Sequence, residues 1–449
     1  MTMMLAMMRD AALTLAPDRV AIALEDVAAL RWLAVAPAVE VELRCERIAD
    51  DAVAVELVGY ARATVRVAAS YPPAPPARTQ PLRAPRATPV SADQLYIDRW
   101  MFHGPGYAGV TAMGPMGDDG VDGELTALSA PGALLDCSGQ LMGWWVMQRE
   151  TIDRLAMPIR LTRVALYGDD PPPGTRVACA VRFRELTPVS AIADHELTIG
   201  GRVWCQIDGW EDRRFDSDEP LWRVLQYPEL NALTEPRPDG YALVREHWRT
   251  VASRELVMRR YLGVRERAAH DAVNPRARRA WLLGRIAAKD AVRSYLWQRG
   301  AGPLYPVEIE IASDPDGRPR AIAPGGQALA VSIAHKDDRA VALVGAAGTA
   351  PGIDLETIAA RPASFVDVAF TVDELALGDR APGGRDAWLT RLWAAKEAVA
   401  KARGTGLTDP RKLTCTAVDG DRLTIDGVVV TTRADDDAHI VAWTWLEPA

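Results

Sequence analysis

Residues 388–407 read WLTRLWAAKEAVAKARGTGL, and upstream of them residues 352–356 read GIDLE. In the longer stretch Leu389, Leu392, Trp393 and Val399 recur at helical spacing and Gly404 and Gly406 supply a stop, which predicts an amphipathic helix. Glu397 and Lys401 stand four apart and share one face of it. In GIDLE the alternation of apolar and acidic residues predicts a strand with Asp354 and Glu356 on the same side. Two carboxylates from a strand and one from a helix, beside a lysine, suit an oxygen-ligand cage for Mg²⁺ holding a phosphate ester. A plainer alternative stands next to this: a Glu–Lys pair at that spacing is commonly a surface ion pair, and an acid-x-acid strand its solvated face.

Working outward, residues 281–293 (WLLGRIAAKDAVR) form another helical pattern, with Arg285 and Lys289 four apart. Taken alone, that pair is equally a solvated cationic stripe. VEIEI at 307–311 predicts a strand, DPDGRP at 314–319 a turn, and VSIAH at 331–335 and 340–344 further strands. Residues 413–446 predict closing strands around DGDR and DG turns.

Together and in this order, GIDLE and WAAKEAxxK resemble the two signatures of the 4′-phosphopantetheinyl transferases of the surfactin-synthetase-activating type. The resemblance implies a transferase domain over 236–449, built as two α/β halves with metal and coenzyme between them. It implies a holo-[acyl-carrier-protein] synthase activity, with coenzyme A as co-substrate, Mg²⁺ as cofactor and an acyl carrier protein or carrier domain as partner. Asp354, Glu356 and Glu397 match the metal ligands, Glu397 is also the expected base, and Lys401 and Lys396 offset charge on the leaving group. The GRxAAK helix brings Arg285 and Lys289 to the coenzyme phosphates. Arg318 takes the lysine position of a GKP motif, and Ser332 and His335 match the family's nucleotide contacts. The usual second serine is Lys336 here, a departure at a phosphate contact.

The 449 residues are 49% hydrophobic, enough for several globular cores, and the net charge of −8 excludes a general nucleic-acid binder. Only five of the 52 basic residues are lysine, namely Lys289, Lys336, Lys396, Lys401 and Lys412, with none before residue 289. In an arginine-using chain a lysine marks a place for a compact point charge, with chance clustering as the alternative. The five cysteines are scattered without metal or disulfide spacing, no apolar run is long enough to span a bilayer, and the start lacks a basic leader, so a cytoplasmic setting is expected.

The N-terminal half opens with a helix, then strand patterns at 20–24, 39–45 and 53–67, and a Pro-rich stiff linker over 71–94. Residues 132–147 (GALLDCSGQLMGWWVM) predict an apolar helix carrying Asp136 and Gln140 at i,i+4, followed by strands at 159–167, 175–184 and 196–210. A buried Asp136 needs a partner or a use, and an N-cap is the bland alternative. FHGPGY at 102–107 followed by LLDxxxQ resembles the second half of a polyketide-synthase dehydratase, which implies a double hot-dog fold with Asp136 as acid, Gln140 beside it and His103 shaping the turn. The family's catalytic histidine precedes the first hot-dog helix, and here no histidine precedes His103. The expectation is a truncated first hot dog over 1–70 and a second over 95–235, either completed by an upstream polypeptide or now structural. The expected class is therefore α+β, a double hot-dog region followed by the two-half transferase, similar to the end of an iterative enediyne-type polyketide synthase. Of three readings the transferase is favoured, because its ligands are complete and the dehydratase dyad is not; the alternatives are a dehydratase and a docking module without activity.

Overall fold

The computed structural model describes all residues except 36–37, 79, 249, 315–316, 379–382 and 447–449. It divides into two compact units, Met1–Trp222 and Arg223–Ala449.

The N-terminal unit contains α1 (Thr2–Thr14), β1 (Val20–Ala29), β2 (Leu43–Ala49), β3 (Ala52–Leu57), β4 (Ala61–Ala68) and α2 (Ala92–Ile97). It continues with β5 (Val110–Gly117), β6 (Gly120–Thr126), α3 (Ala133–Arg149), β7 (Ala156–Leu166), β8 (Arg176–Leu186), β9 (Ser190–Ile199) and β10 (Arg202–Arg214), and ends in α4 (Glu219–Gln226), which crosses the division. The strands make one ten-stranded antiparallel sheet in the order β2-β3-β4-β1-β7-β10-β9-β8-β6-β5. Around α3 the order β5-β6-β8-β9-β10-β7 encloses a helix that is apolar on nearly every side, as a helix wrapped by a sheet must be. Trp144, Trp145, Leu141 and Val146 are fully buried there. Around α1 the order β2-β3-β4-β1 repeats the β8-β9-β10-β7 part of that pattern, so the sheet joins two hot-dog halves.

Several strand boundaries differ from expectation. The run at 53–67 is a hairpin turning at Gly59, whose φ is 77°. The run at 196–210 is the β9–β10 hairpin, turning at Gly200 and Gly201 with φ of 56° and 79°. The strand read at 39–45 begins only at Leu43, where the exposed edge strand β2 alternates charged residues. Within 71–94 three residues are tied to the sheet: the Arg78 N–H donates to Glu196 at 3.0 Å, the Arg83 N–H to Asp119 at 2.8 Å, and Arg86 bridges Met116.

The C-terminal unit contains β11 (Glu235–Pro236), β12 (Tyr241–Arg245), α5 (Val251–Tyr261), α6 (Val264–Ala272), α7 (Arg278–Trp297), β13 (Glu310–Ser313), β14 (Pro319–Ile322), β15 (Ala328–Lys336) and β16 (Arg339–Ala346). After these come β17 (Ala350–Thr357), α8 (Ala363–Ala369), α9 (Val372–Leu377), α10 (Gly384–Arg403), β18 (Cys415–Asp419), β19 (Arg422–Ile425), β20 (Val428–Asp436) and β21 (His439–Leu446). One six-stranded sheet runs β11-β12-β16-β15-β14-β13 against α7, and a five-stranded sheet runs β17-β21-β20-β19-β18 against α10. The strand expected at 307–311 starts at Glu310, because Pro306–Glu308 makes a single 3₁₀ turn. Part of the turn read at 314–319 falls on 315–316, outside the described residues. No described helix is long and apolar enough to cross a membrane.

The packing of α10 on β17 explains the first residue of GIDLE. A Cβ on Gly352 would lie 2.0 Å from the Ala398 carbonyl oxygen and 2.8 Å from the Ala402 Cβ, so only glycine lets strand and helix backbones approach this closely. Gly404 then closes α10 in the left-handed region at φ 65°, its N–H bonded to the last-turn carbonyls. Gly352→Ala is expected to destabilise the protein by about 1–3 kcal/mol through overpacking. Gly302→Ala, where an added Cβ meets nothing within 4 Å, is expected to be near neutral; urea unfolding of both variants checks this.

Candidate functional site

Strand β17 and helix α10 carry the acids. Asp354 is only 6% exposed; its Oδ1 accepts from Lys401 Nζ at 2.7 Å, while its buried Oδ2 has no partner. Burial raises the Asp354 pKa and Lys401 opposes the shift. Lys401 also donates to the Ile353 carbonyl at 3.0 Å, so helix and strand are joined at this point. Glu397 lies one turn before Lys401. Burial and then Asp354 lift its pKa above the ordinary carboxylate value. The Glu397–Lys401 surface pair considered from spacing does not form: among the described residues Lys401 pairs with Asp354 instead.

Glu356 follows Asp354 by two on the same face of β17. Its Oε2 accepts from Lys336 Nζ at 2.9 Å and from Arg361 Nη2 at 3.2 Å. Among the described residues no three acid, histidine or cysteine side chains stand close enough together to form a ready metal cluster. Asp354 and Glu397 nonetheless fit a hard divalent ion: both are oxygen donors, both are under-compensated, and one buried oxygen is left without a partner.

A cleft of about 520 Å³ is lined by Arg318, Ser332, Lys401 and the start of β17, so it meets the acids through Lys401 and not through their own side chains. Ser332 Oγ accepts the Ile353 N–H at 3.0 Å, which fixes β15 against β17. Arg318 reaches the Arg403 carbonyl at the end of α10. His335 stands at the exposed end of β15, its pKa lowered by partial desolvation and then by Lys401, Arg285 and Lys336. Arg285 lies over the Trp281 ring at 4.3 Å. The Arg318 and Arg285 guanidinium groups suit phosphate oxygens.

Residues 350–444 match the 4′-phosphopantetheinyl transferase superfamily. The phosphopantetheinyl transferase match spans β17 to β21 and includes Asp354, Glu356, Glu397 and Lys401, while Arg285, Arg318, Ser332 and His335 lie before it. No curated protein sequence matches the chain.

Two lysines expected at the coenzyme are elsewhere. Lys396 is fully buried and donates to the Ala369 carbonyl at 2.8 Å, the Glu374 carboxylate at 2.9 Å and the Pro410 carbonyl at 3.0 Å. Successive helix residues are about 100° apart, so a helix that leaves Glu397 half-buried near Asp354 turns Lys396 into the core. Lys289 is likewise fully buried, donating to Glu266 and to the Tyr261 and Pro306 carbonyls. With all three donors satisfied, neither ammonium reaches a phosphate. Arg361, which sequence reading did not single out, carries no pattern signal because it follows β17 in a loop.

In the N-terminal unit a second constellation surrounds α3. Gly132, not Asp136, caps the helix. Asp136 Oδ1 accepts from Thr2 Oγ1 at 2.9 Å; its Oδ2 accepts from Gln140 Nε2 at 3.0 Å and lies 3.1 Å from His103 Nε2. Burial alone would raise the Asp136 pKa, but His103, Gln140 and Thr2 together hold it below the usual value. Gln140 is itself fixed by the Tyr107 carbonyl at 2.7 Å and the Tyr96 hydroxyl at 2.8 Å. The turn histidine expected only to shape the site is thus in contact with the acid. His195, by contrast, is a core residue: it is fully buried, stacks on Trp210 and bonds Ser138 at 2.9 Å, and burial pushes its pKa down to about 3.

Solved dehydratase domains are similar to part of the chain. That of RzxB from Pseudomonas fluorescens is 15% identical over 46% of this chain and 83% of its own, with a TM-score of 0.38. The domain from the CurJ module of the curacin polyketide synthase is 15% identical over 48% and 82%, at 0.37. That of a mycocerosic acid synthase-like polyketide synthase is 18% identical over 48% and 80%, at 0.36. At such scores the hot-dog architecture rests on this chain's own strand order and enclosed helix.

Lys396→Met is expected to cost about 3–5 kcal/mol, because it strands the buried Glu374 carboxylate. Urea denaturation measures this; a lysine acting only on substrate would leave the unfolding midpoint unchanged.

Proposed function

We propose that the C-terminal unit transfers the 4′-phosphopantetheine arm of coenzyme A to a serine of an acyl carrier protein, with Mg²⁺ as cofactor, in polyketide biosynthesis. The observation that carries the proposal is the unpartnered buried Oδ2 of Asp354, set beside Glu397 and Lys401 on the segment matching the superfamily. Asp354 and Glu397 would hold the divalent ion, which when bound offsets charge on the pyrophosphate.

The chain's own groups supply the rest. Lys401 uses two of its donors on Asp354 and the Ile353 carbonyl, leaving a third for a phosphate oxygen. The carrier serine oxygen forms a bond to the phosphorus bearing pantetheine, and the bond from that phosphorus to 3′,5′-ADP breaks. Glu397 takes the serine proton directly or through a water. Arg285, His335 and Arg318 suit the outlying phosphates of the coenzyme.

Asp354→Asn is expected to lower holo-carrier formation roughly 10²–10³-fold, in the range typical of removing one electrostatic group from a transition state. Apo carrier, coenzyme A and Mg²⁺ are mixed with the chain and the carrier's mass gain is followed by intact-protein mass spectrometry. Undiminished transfer by the variant overturns the assignment.

The contact of His103 with Asp136 favours a second reading for the N-terminal unit, acid–base chemistry on a β-hydroxyacyl carrier thioester. Here a β-hydroxyacyl pantetheine thioester incubated with the full chain is expected to lose water, and Asp136→Asn is expected to stop it. Equal water loss from the variant, read by liquid chromatography and mass spectrometry, rejects this reading.

A further inference from the structure

β17 and α10 carry three carboxylates, and they are compensated very unequally. Glu356 has two cations on a single oxygen, Lys336 Nζ at 2.9 Å and Arg361 Nη2 at 3.2 Å, and its side chain is only 13% exposed. Asp354 has one cation on Oδ1 and nothing on Oδ2. No hydrogen bond or ion pair engages the Glu397 carboxylate among the described residues, and Asp354 and Glu356 both act on it as like charges.

Lys336 is the last residue of β15 and lies immediately after His335, so the strand end delivers its ammonium to the neighbouring β17. Arg361 arrives from the other direction, along the loop that leaves β17. A divalent ion approaching Glu356 meets two positive groups already held on its Oε2. Repulsion from both opposes that approach, and their charges already offset that of the carboxylate. Asp354 and Glu397 present no such obstacle.

We propose that Lys336 and Arg361 determine how this chain holds its divalent ion: they take Glu356 out of the ligand set and leave a site of two carboxylates, Asp354 and Glu397. The inference rests on the transferase reading of the same site and deepens it. A small hard ion with two protein carboxylates fills its remaining positions with water and substrate phosphate oxygens. Ion binding is therefore weak in the free protein and strengthens when coenzyme A supplies its pyrophosphate. The lysine in the place of a serine serves as an internal counter-cation for the middle acid.

The test is Mn²⁺ binding to the full chain, followed by electron paramagnetic resonance of the free ion, with and without coenzyme A. Glu356→Gln is expected to keep the Mn²⁺ affinity of the parent within about twofold, whereas Asp354→Asn loses about tenfold or more, since affinity follows the charge of the ligands. The double variant Lys336→Ser/Arg361→Ser, which releases Glu356, is expected to bind Mn²⁺ about tenfold more tightly. Circular dichroism establishes that each variant is folded, and Glu356→Gln preserves shape where the double variant does not. A loss of affinity in Glu356→Gln as large as that in Asp354→Asn, or unchanged affinity in a folded double variant, overturns the inference. If either occurs while the parent still converts apo carrier to holo, the transferase reading stands without it. A parent chain that neither binds Mn²⁺ with coenzyme A nor modifies the carrier overturns both.

Discussion

The C-terminal unit depends on how closely β17 can approach α10. Gly352 has no side chain to hold the Ala398 carbonyl away, and Ala398 and Ala402 are small enough to accept the strand. This contact sets the distance at which Lys401 reaches both Asp354 and the Ile353 carbonyl. It also brings Glu397, one turn earlier, under the influence of the strand acids. On its other face β17 buries Ile353 and Leu355 with Leu343, Val441 and Trp443, so the acids ride on a strand anchored in the core. A backbone approach, not a side-chain pair, is what makes the rest of the site geometrically possible.

Much of this was legible in the sequence, for identifiable reasons. Period-two alternation in GIDLE and helical spacing in residues 388–407 each report which side chains share a face, and the structure keeps both. Spacing does not report which face is buried. The Arg285–Lys289 stripe looked cationic and outward, yet α7 turns Lys289 inward, and Lys396 was grouped with its neighbour Glu397 although adjacent helix residues face different ways. Long-range partners were equally invisible: nothing local links Lys336 to Glu356, or His103 to Asp136 thirty-three positions on. Hairpins hidden inside long apolar runs were marked only by Gly59, Gly200 and Gly201, and the glycine-rich β5 and β6 by no alternation at all.

One signal would have corrected the lysines. AAKDAV at 287–292 and AAKEAV at 394–399 are nearly the same word, and the structure uses both in the same way. Lys289 donates to Glu266 and to the carbonyls of Tyr261 and Pro306; Lys396 donates to Glu374 and to those of Ala369 and Pro410. Glu266 also accepts the N–H of Gly263 at the start of α6 and of Ile311 on β13. Glu374 accepts those of Thr371 before α9 and of Cys415 on β18. The two halves of the unit are therefore repeats, each locked by a lysine and a glutamate that together satisfy four backbone groups. A compact ammonium with three radiating donors suits this position better than a planar guanidinium, which accounts for two lysines in a chain that otherwise prefers arginine.

The repeat also separates structure from chemistry. The acid after each lysine is Asp290 in one half and Glu397 in the other. Asp290 is fully buried and answered by Arg293, the Tyr261 hydroxyl and the N–H groups of Leu233 and Thr234. Glu397 has no comparable partners, and it faces Asp354, whose own second oxygen is unanswered. A raised carboxylate pKa in the folded state means the ionised form is disfavoured there, so these two acids reduce stability as pH rises from the ordinary carboxylate range through their folded values. A fold that gives the equivalent acid a cation and three hydrogen-bond donors in one half, and leaves it without such partners in the other, carries an electrostatic cost in the free protein. A bound cation removes that cost by preferring the folded state, so occupancy of the site and stability of the unit rise together.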